Sequence, residues 1–411
     1  MIPLTLAEAA GACGGRLLDA DGATVVDGLV VDSRVARPGT LFVALPGERT
    51  DGSRFAPQAL AAGAAAVLST SMATVANTAS FNNEVGLPLT LARLEPDTRA
   101  LVVEMGARGA GHIAMLARLA RPEIGVVLNV GVAHIGMFGS QAAIAQTKGE
   151  LVEALPPHGS AVLNADDPLV AAMAGRTVAR VLRFGLGSGA EVRAEGIGLD
   201  ADGRAHFKLR TPGGLAEASL PVPGEHLVAD ALAAAAAGHA LGLEPEAIAE
   251  GLRGAALSPM RMQVERRADG LTVINDAYNA NPTSMAAALK TLAGARRSGG
   301  RSVAVLGEMA ELGEQGPAEH DRVGRLVTRL GIDRLVGVGQ LGEAIVRAAR
   351  LEGMWPEEAV AAPDAEAALA FLERWLQPGD VVLVKASRVV ALDRLAERLL
   401  REPPGSDERG T

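Results

Sequence analysis

Residues 100–150 constrain this chain more than any other stretch. Two short apolar runs, 100–103 and 125–128, are rich in β-branched residues and show no polar alternation, the pattern of strands covered on both faces of a parallel sheet. Parallel strands need crossover connections, so the chain is expected to be an α/β protein. Each run ends in polar groups: Glu104 closes the first, Asn129 the second, and His134 lies in the loop beyond. The carboxyl ends of parallel strands leave a crevice for ligands, and these side chains are expected to gather there. A hard cation such as Mg²⁺ takes carboxylate oxygens together with substrate phosphates, and Glu104 offers the carboxylate; histidine is a less usual companion.

Lys148 follows, on a helix that Ser140 is expected to open as N-cap. A lysine beside a metal site is electrostatically wrong unless it pairs with a carboxylate or is covalently neutralised. Of 39 Lys+Arg only four are lysines (Lys148, Lys208, Lys290 and Lys385), so arginine is the default cation. A lysine amine can lose its proton and react, which a guanidinium cannot. Each of the three also has a plain reading: Glu104 ends a strand, His134 caps a turn and Lys148 is solvated.

A chain of 411 residues exceeds one ordinary core and suggests two to four domains. The formal charge of −9 and the lack of any Lys/Arg cluster argue against nucleic acid or a membrane surface as partner. A single cysteine, Cys13, excludes an intrachain disulfide framework and fits a reducing compartment. No run approaches the roughly 18 apolar residues of a membrane span, and the N-terminus has no basic leader, so a cytoplasmic protein is expected.

Taken in order, residues 1–70 read as a small α/β unit with a helix over 5–11, strands at 29–31 and 41–44, and a helix at 56–65. Two polar loops follow its strands, Asp32-Ser33-Arg34 and residues 47–52, either of which suits a phosphate or nucleotide or is a simple turn. Residues 81–88 form an amide-rich loop whose Asn82 and Asn83 could bind a polar ligand or make an Asx turn. Strand and helix alternate to about 190, antiparallel strands fill 191–223, and helices are expected at 225–241 and 245–252. Around Arg261 a second doubly wound sheet begins, with strands at 271–274, 302–306, 334–338 and 381–384. Its first strand runs into Asn275-Asp276-Ala277-Tyr278-Asn279-Ala280-Asn281, with the protein's single tyrosine among three asparagines; Thr283 or Ser284 is expected to cap the next helix. The last strand ends Val384-Lys385-Ala386-Ser387-Arg388, where amides and cations could hold an anion. The tail, 402–411, is rich in Pro, Gly and charge and is expected to be disordered.

In combination and order, FNNEVGLPLTL, EMGARGAGHI, NVGVAHIGMFGS, TKGELVEAL, LNADDP, PMRM, INDAYNANPTSM, VLGEMAELG and VKASR resemble the Mur ligases of peptidoglycan synthesis, from about residue 4 to 400. The resemblance implies three domains: an N-terminal α/β domain for the UDP end of the precursor (1–70), a central parallel-sheet ATPase domain (71–256) and a C-terminal Rossmann-like domain (257–401). It implies an ATP-dependent amide synthesis through an acyl phosphate, adding D-alanyl-D-alanine to UDP-N-acetylmuramoyl-tripeptide in a cytoplasmic monomer. Carried over residue by residue, Glu104 and His134 would be Mg²⁺ ligands and Lys148 a carbamylated lysine, whose added oxygens resolve the charge conflict above. Arg261, Asp276, Tyr278, Asn279 and Asp230 would contact ATP. Ser33 and Arg34 match the uridine-side loop, Asn82 and Asn83 precursor-binding amides, and Lys385, Ser387 and Arg388 the C-terminal substrate loop.

The chain departs from the family at one place that matters. Mur ligases open their central domain with a phosphate loop of the type G-x-x-G-K-[ST]-[ST], and here no Gly-Lys pair occurs anywhere and no lysine precedes Lys148. A strand, phosphate loop and returning helix need about 30 residues, while only ten, SMATVANTAS, separate Thr70 from Phe81. A β-loop-α unit is therefore expected to be absent, which weakens the hold on the β- and γ-phosphates and removes a strand from the sheet. Asp230 also stands where the family has an asparagine facing adenine. Three readings stay open: a ligase whose sequence lacks a segment, a silent protein that still binds the precursor, and a sister ligase adding another amino acid.

Overall fold

The computed structural model describes residues 4–5, 7–8, 23, 25–26, 28–30, 40–42, 72–77, 81–131, 138–255, 259–295, 300–310 and 312–401. Near the N-terminus β1 (Leu4–Thr5) pairs antiparallel with β2 (Val25–Val26), and β3 (Gly28–Val30) runs parallel to β4 (Thr40–Phe42). Thr5 is thus strand rather than the start of a helix, although Ala7 and Glu8 are helical. The segments expected as a helix at 56–65 and as loops at 32–34 and 47–52, and the tail 402–411, lie outside the described residues.

Next comes β5 (Thr74–Ala76), then α1 (Gly86–Leu91), β6 (Ala100–Val102), α2 (His112–Ala120), β7 (Ile124–Val127) and α3 (Gln141–Glu153). Helix α1 starts inside the expected amide-rich loop because Asn83 Oδ1 accepts from the N–H groups of Val85 and Gly86, at 3.1 and 2.8 Å, an Asx turn. Gly86 is required there, since a Cβ would lie 2.2 Å from Phe81 Cα. Ser140 caps α3 as its sequence predicts, accepting from Ala143 N–H at 3.1 Å.

The sheet continues through β8 (Ser160–Asn164), β9 (Arg180–Gly185), β10 (Val192–Leu199), β11 (Arg204–Thr211) and β12 (Gly214–Pro223), in the spatial order β12-β11-β10-β9-β8-β7. The antiparallel hairpins expected at 191–223 are not a separate layer: β10 pairs parallel with β9, so they extend the same sheet. After the short α4 (Pro168–Ala171), helix α5 (Leu227–Ala240) buries Leu227, Val228, Leu232 and four consecutive alanines (Ala233–Ala236) in the core it shares with this sheet and α6 (Pro245–Arg253), which covers β12. Alanine leaves the backbone of α5 room to lie close to the sheet. Phe184, Phe207 and Leu232, each at most 2% exposed, fill what remains, each worth about 2–3 kcal/mol of burial.

Between β6 and β7 the ladder is broken. Among the described residues β6 is joined to β5 alone and β7 to β8 alone, although Val102, Val126 and Leu128 pack against one core with α5. Leu101, Val102, Val103, Ile124, Val126 and Leu128 are only half-buried, whereas apolar parallel strands are ordinarily covered on both faces.

The second sheet contains β13 (Gln263–Arg266), β14 (Thr272–Asn275), β15 (Ser302–Leu306), β16 (Arg334–Val338), β17 (Ala359–Ala362) and β18 (Val381–Lys385), in the order β13-β14-β18-β15-β16-β17. All pairs are parallel except β13 with β14. Helices α7 (Pro282–Ala295), α8 (Gly316–Arg329), α9 (Gly339–Leu351), α10 (Ala365–Trp375) and α11 (Asp393–Leu400) cover both faces in two separate cores, as a doubly wound sheet requires. Thr283 and Ser284 do not cap α7 by themselves. Asn281 Oδ1 accepts from Ser284 N–H at 2.8 Å and Ser284 Oγ accepts from Asn281 N–H at 3.0 Å, a reciprocal cap. Asn281→Ala is expected to cost about 1 kcal/mol in denaturant unfolding; an unchanged midpoint would show that Ser284 suffices.

Candidate active site

Glu104 leaves the end of β6 with its N–H donated to Asn77 Oδ1 at 2.8 Å and its Oε1 accepting from Asn82 Nδ2 at 2.7 Å. The carboxyl is 6% exposed. Burial pushes its pKa up to about 7, against the opposing pull of the Asn82 hydrogen bond and the Arg261 charge. Beside it, Asn82 is 1% exposed and its Oδ1 has no hydrogen-bond partner among the described residues. A desolvated carboxyl and an orphaned amide oxygen together suit a hard cation, so the residues present fit Mg²⁺ at this end.

The raised pKa has a thermodynamic consequence. A carboxyl that ionises near 4.5 when unfolded and near 7 when folded adds stability that is fully present below about 4.5 and lost as pH rises through 7. Glu104→Gln removes the ionisation, so at pH 8 the variant is expected to be more stable than the parent by on the order of 2–3 kcal/mol. At pH 4 the gain should vanish. Thermal melts at the two pH values check this, and a gain independent of pH would contradict it.

Lys148 lies on α3, half-buried, and its Nζ donates to the Asn129 carbonyl at 2.6 Å. Burial lowers its pKa, with the Asp167 charge opposing, which favours the uncharged amine that carbamylation needs. His134 lies outside the described residues, as do Ser33 and Arg34. Among the described residues no group of three His, Cys, Asp or Glu side chains is gathered for a metal.

The second sheet supplies the facing wall. Arg261 sits between two methionines in the left-handed region, Met260 (φ 62°) and Met262 (φ 45°), a costly conformation for such residues. It is fixed by hydrogen bonds from Met262 N–H to Asp276 Oδ1 (3.1 Å) and from Tyr278 N–H to the Met260 carbonyl (3.2 Å). The guanidinium lies 4.5 Å from the centroid of the Tyr278 ring, a cation–π distance. Burial lowers its pKa, opposed by Asp276, Tyr278, Glu104 and Asp230. One arginine, in the turn before β13, thus acts on two carboxyls, Glu104 after β6 and Asp230 on α5. Of these, Asp230 lies in the first turn of α5 and is pushed up to about 7 by burial, with Arg261 pulling it down.

Asp276 holds Lys385 in a buried ion pair at 2.6 Å, and Lys385 also donates to the Asn279 carbonyl at 2.9 Å. Asn279 is half-buried, and its Oδ1 accepts from Ala280 N–H at 2.8 Å. Ser387 is buried and accepts from Ala310 N–H at 2.8 Å. Lys385 and Ser387 therefore make bonds within the protein, while Arg388 projects outward with its side chain 42% exposed. Two residues escaped the sequence reading. His226, solvent-exposed just before α5, has its pKa lowered by partial desolvation among its neighbours and by the Lys385 charge, with Asp276 opposing; the signal was its place in Gly-Glu-His ahead of Asp230. Asp393, on α11, pairs with Arg388 at 2.7 Å, and nothing in its local sequence marks it.

Comparisons with known proteins bear on the family and the fold. Residues 56–238 match the Mur ligase middle domain and residues 260–388 the Mur ligase glutamate ligase domain. The UDP-N-acetylmuramoyl-tripeptide--D-alanyl-D-alanine ligase of Mycobacterium tuberculosis (strain ATCC 25618 / H37Rv) is 41% identical over 502 aligned positions, covering 98% of each chain. The Escherichia coli (strain K12) protein of the same name is 33% identical over 461 positions, covering 97% of this chain and 99% of its own. A crystal structure of MurF from Acinetobacter baumannii superposes with a TM-score of 0.85 at 27% identity, covering 97% and 99% of the two chains. In the mycobacterial comparison, 98% of 411 residues is about 403, so about a hundred of the 502 positions have no residue of this chain opposite them. The two matched domains and the relatives that span nearly the whole chain leave one assignment: this protein belongs to the Mur ligase family.

Proposed function

We propose that the chain joins D-alanyl-D-alanine to UDP-N-acetylmuramoyl-tripeptide, with ATP as cosubstrate, in the cytoplasm where that soluble precursor is made. The names of the full-length relatives support the substrates. The observation that supports the chemistry is a buried Glu104 backed by Asn82, with Arg261, held over the Tyr278 ring, near enough for its charge to act on Glu104 and Asp230. The division into a precursor-binding unit (1–70), an ATPase unit (71–256) and a closing unit (257–401) belongs to the same proposal.

A carboxylate is a poor electrophile. The tripeptide carboxylate takes the γ-phosphoryl of ATP, releasing ADP and forming an acyl phosphate. The dipeptide's neutral amine then attacks the acyl carbon, the C–O bond to phosphate breaks, and the amine gives up a proton. Arg261 is placed to neutralise charge on the transferring phosphoryl, and Tyr278 keeps its plane fixed while Asp276 anchors the turn that carries it. Glu104, with Asn82 behind it, His134 and a carbamylated Lys148 would hold Mg²⁺, which neutralises phosphate charge when bound. Asn279, Asp230, Ser33, Arg34, Asn83, Lys385, Ser387 and Arg388 complete the proposed contacts to nucleotide and precursor.

The split between β6 and β7, with the hundred uncovered positions, favours a second reading: precursor binding retained, turnover impaired. Supplying Mg·ATP, UDP-tripeptide and dipeptide and measuring phosphate tests both. The ligase reading expects phosphate release that needs both peptides and an ATP KM well above that of full-length relatives. The second reading expects precursor binding and no phosphate.

A further inference from the structure

Helix α2 starts without a cap of its own. Its N-cap residue, Gly111, lies in the left-handed region at φ 85° and has no side chain to offer. The open N–H groups are taken up from another helix. Glu150, on α3, accepts from Gly111 N–H through Oε1 at 2.7 Å and from Ala114 N–H through Oε2 at 3.0 Å. A carboxylate suits a helix start, where it meets orphaned donors and the positive end of the helix dipole. Borrowed from a second helix, it also fixes the two helices to each other. Both ends of this tie lead to the site: Glu150 stands just after Lys148 on α3, and Gly111 closes the loop that leaves Glu104. That loop is pinned at its near end by Asn82, which donates to the Glu104 carboxyl at 2.7 Å and accepts from Gly106 N–H through its backbone carbonyl at 2.7 Å. Helix α3 is gripped independently. The Arg176 guanidinium lies in the notch that Gly149 leaves and donates to the carbonyls of Ala145 (3.2 Å) and Gln146 (2.9 Å), with its Nε on Glu153 at 2.9 Å.

We propose that Glu150 is a positioning residue for the Mg²⁺ end of the site: by joining α3 to the loop that follows Glu104, it sets where Lys148 and Glu104 stand relative to each other. This rests on the ligase reading above. Donors that serve one ion must be held within about 0.5 Å of the productive geometry by the elements behind them. Lys148 leaves a helix and Glu104 leaves a strand, so nothing within either element fixes the other. Both oxygens of Glu150 are spent on backbone N–H groups, so its part is to hold α2 and α3 in register and not to ligate.

Mn²⁺ takes the same oxygen donors as Mg²⁺, and its free signal is followed by electron paramagnetic resonance as it is titrated into the full chain in bicarbonate buffer. The parent is expected to bind Mn²⁺ and Lys148→Ala to bind it at least about 10-fold more weakly, which assigns the signal to this site. Glu150→Gln loses the charge and sets an amide N–H against a backbone N–H, so it should weaken Mn²⁺ by about 10-fold. Glu150→Asp keeps the carboxylate on a shorter stem and should fall between parent and Glu150→Gln; it carries the same reading if the glutamine variant does not fold. Ser140→Ala removes the cap of α3 itself, at a similar cost in helix stability. It leaves the tie intact and should change Mn²⁺ binding less than about twofold, which separates positioning from a merely structural role. Parental Mn²⁺ binding in the Glu150 variants, or equal weakening in Ser140→Ala, overturns the proposal and leaves the ligase reading standing. A parent without a Lys148-dependent Mn²⁺ site overturns the proposal together with the metal part of the ligase reading.

Discussion

Arg261→Ala is expected to lower kcat for peptide-bond formation by about 10³-fold, in line with arginines that neutralise phosphoryl transfer, with little change in melting temperature. The guanidinium feels four groups, Asp276, Tyr278, Glu104 and Asp230, and two of them, Glu104 after β6 and Asp230 on α5, come from residues 71–256. Removing it leaves Glu104 and Asp230 without an opposing charge, so both should become harder to ionise. A pH–rate profile checks this: the alkaline shift of the acid limb accompanies the loss if Arg261 works electrostatically. Arg261→Lys should recover only a fraction, because an ammonium cannot lie flat over the Tyr278 ring. Near-normal turnover in the alanine variant would remove the arginine from the chemistry.

The largest effect on stability is expected from Lys385→Ala. The Lys385 side chain is 3% exposed and that of Asp276 14%, so truncation leaves a carboxylate buried beside an empty space. Breaking such a pair from one side costs about 3–5 kcal/mol. Because Asp276 also accepts from Met262 N–H, the turn that carries Arg261 should loosen too. Urea unfolding and kcat should therefore fall together in this variant, unlike in Arg261→Ala. A loss under about 1 kcal/mol would mean that Arg261 compensates Asp276 in place of the lysine.

The sequence was most readable where apolar runs are long and β-branched. Strands β15 and β16 begin and end at the expected residues, 302–306 and 334–338, since both are buried almost throughout. Strand β13 was not anticipated because Gln263-Val264-Glu265-Arg266 is an edge strand exposed along most of its length, and β17 because its alanines carry little strand preference. The joining of β10 to β9 depends on pairing between segments, which no local pattern encodes. Within the site, strand ends marked Glu104, Asp276 and Lys385, because polar groups closing apolar runs are legible. That Lys385 is taken up by Asp276, that Asn82 backs Glu104, and that Asp393 pairs with Arg388 are tertiary facts, invisible until helices and sheets meet. The lack of a Gly-Lys pair leads one to expect a missing unit, and among the described residues no pairing joins β6 to β7.

The most direct test of the ligase reading follows phosphate and UDP-linked pentapeptide in one reaction, with saturating ATP, Mg²⁺, tripeptide precursor and dipeptide. The account predicts one phosphate for each pentapeptide formed and none when either peptide substrate is withheld. Phosphate released without the dipeptide, or no pentapeptide at any nucleotide concentration although the precursor binds, would contradict it.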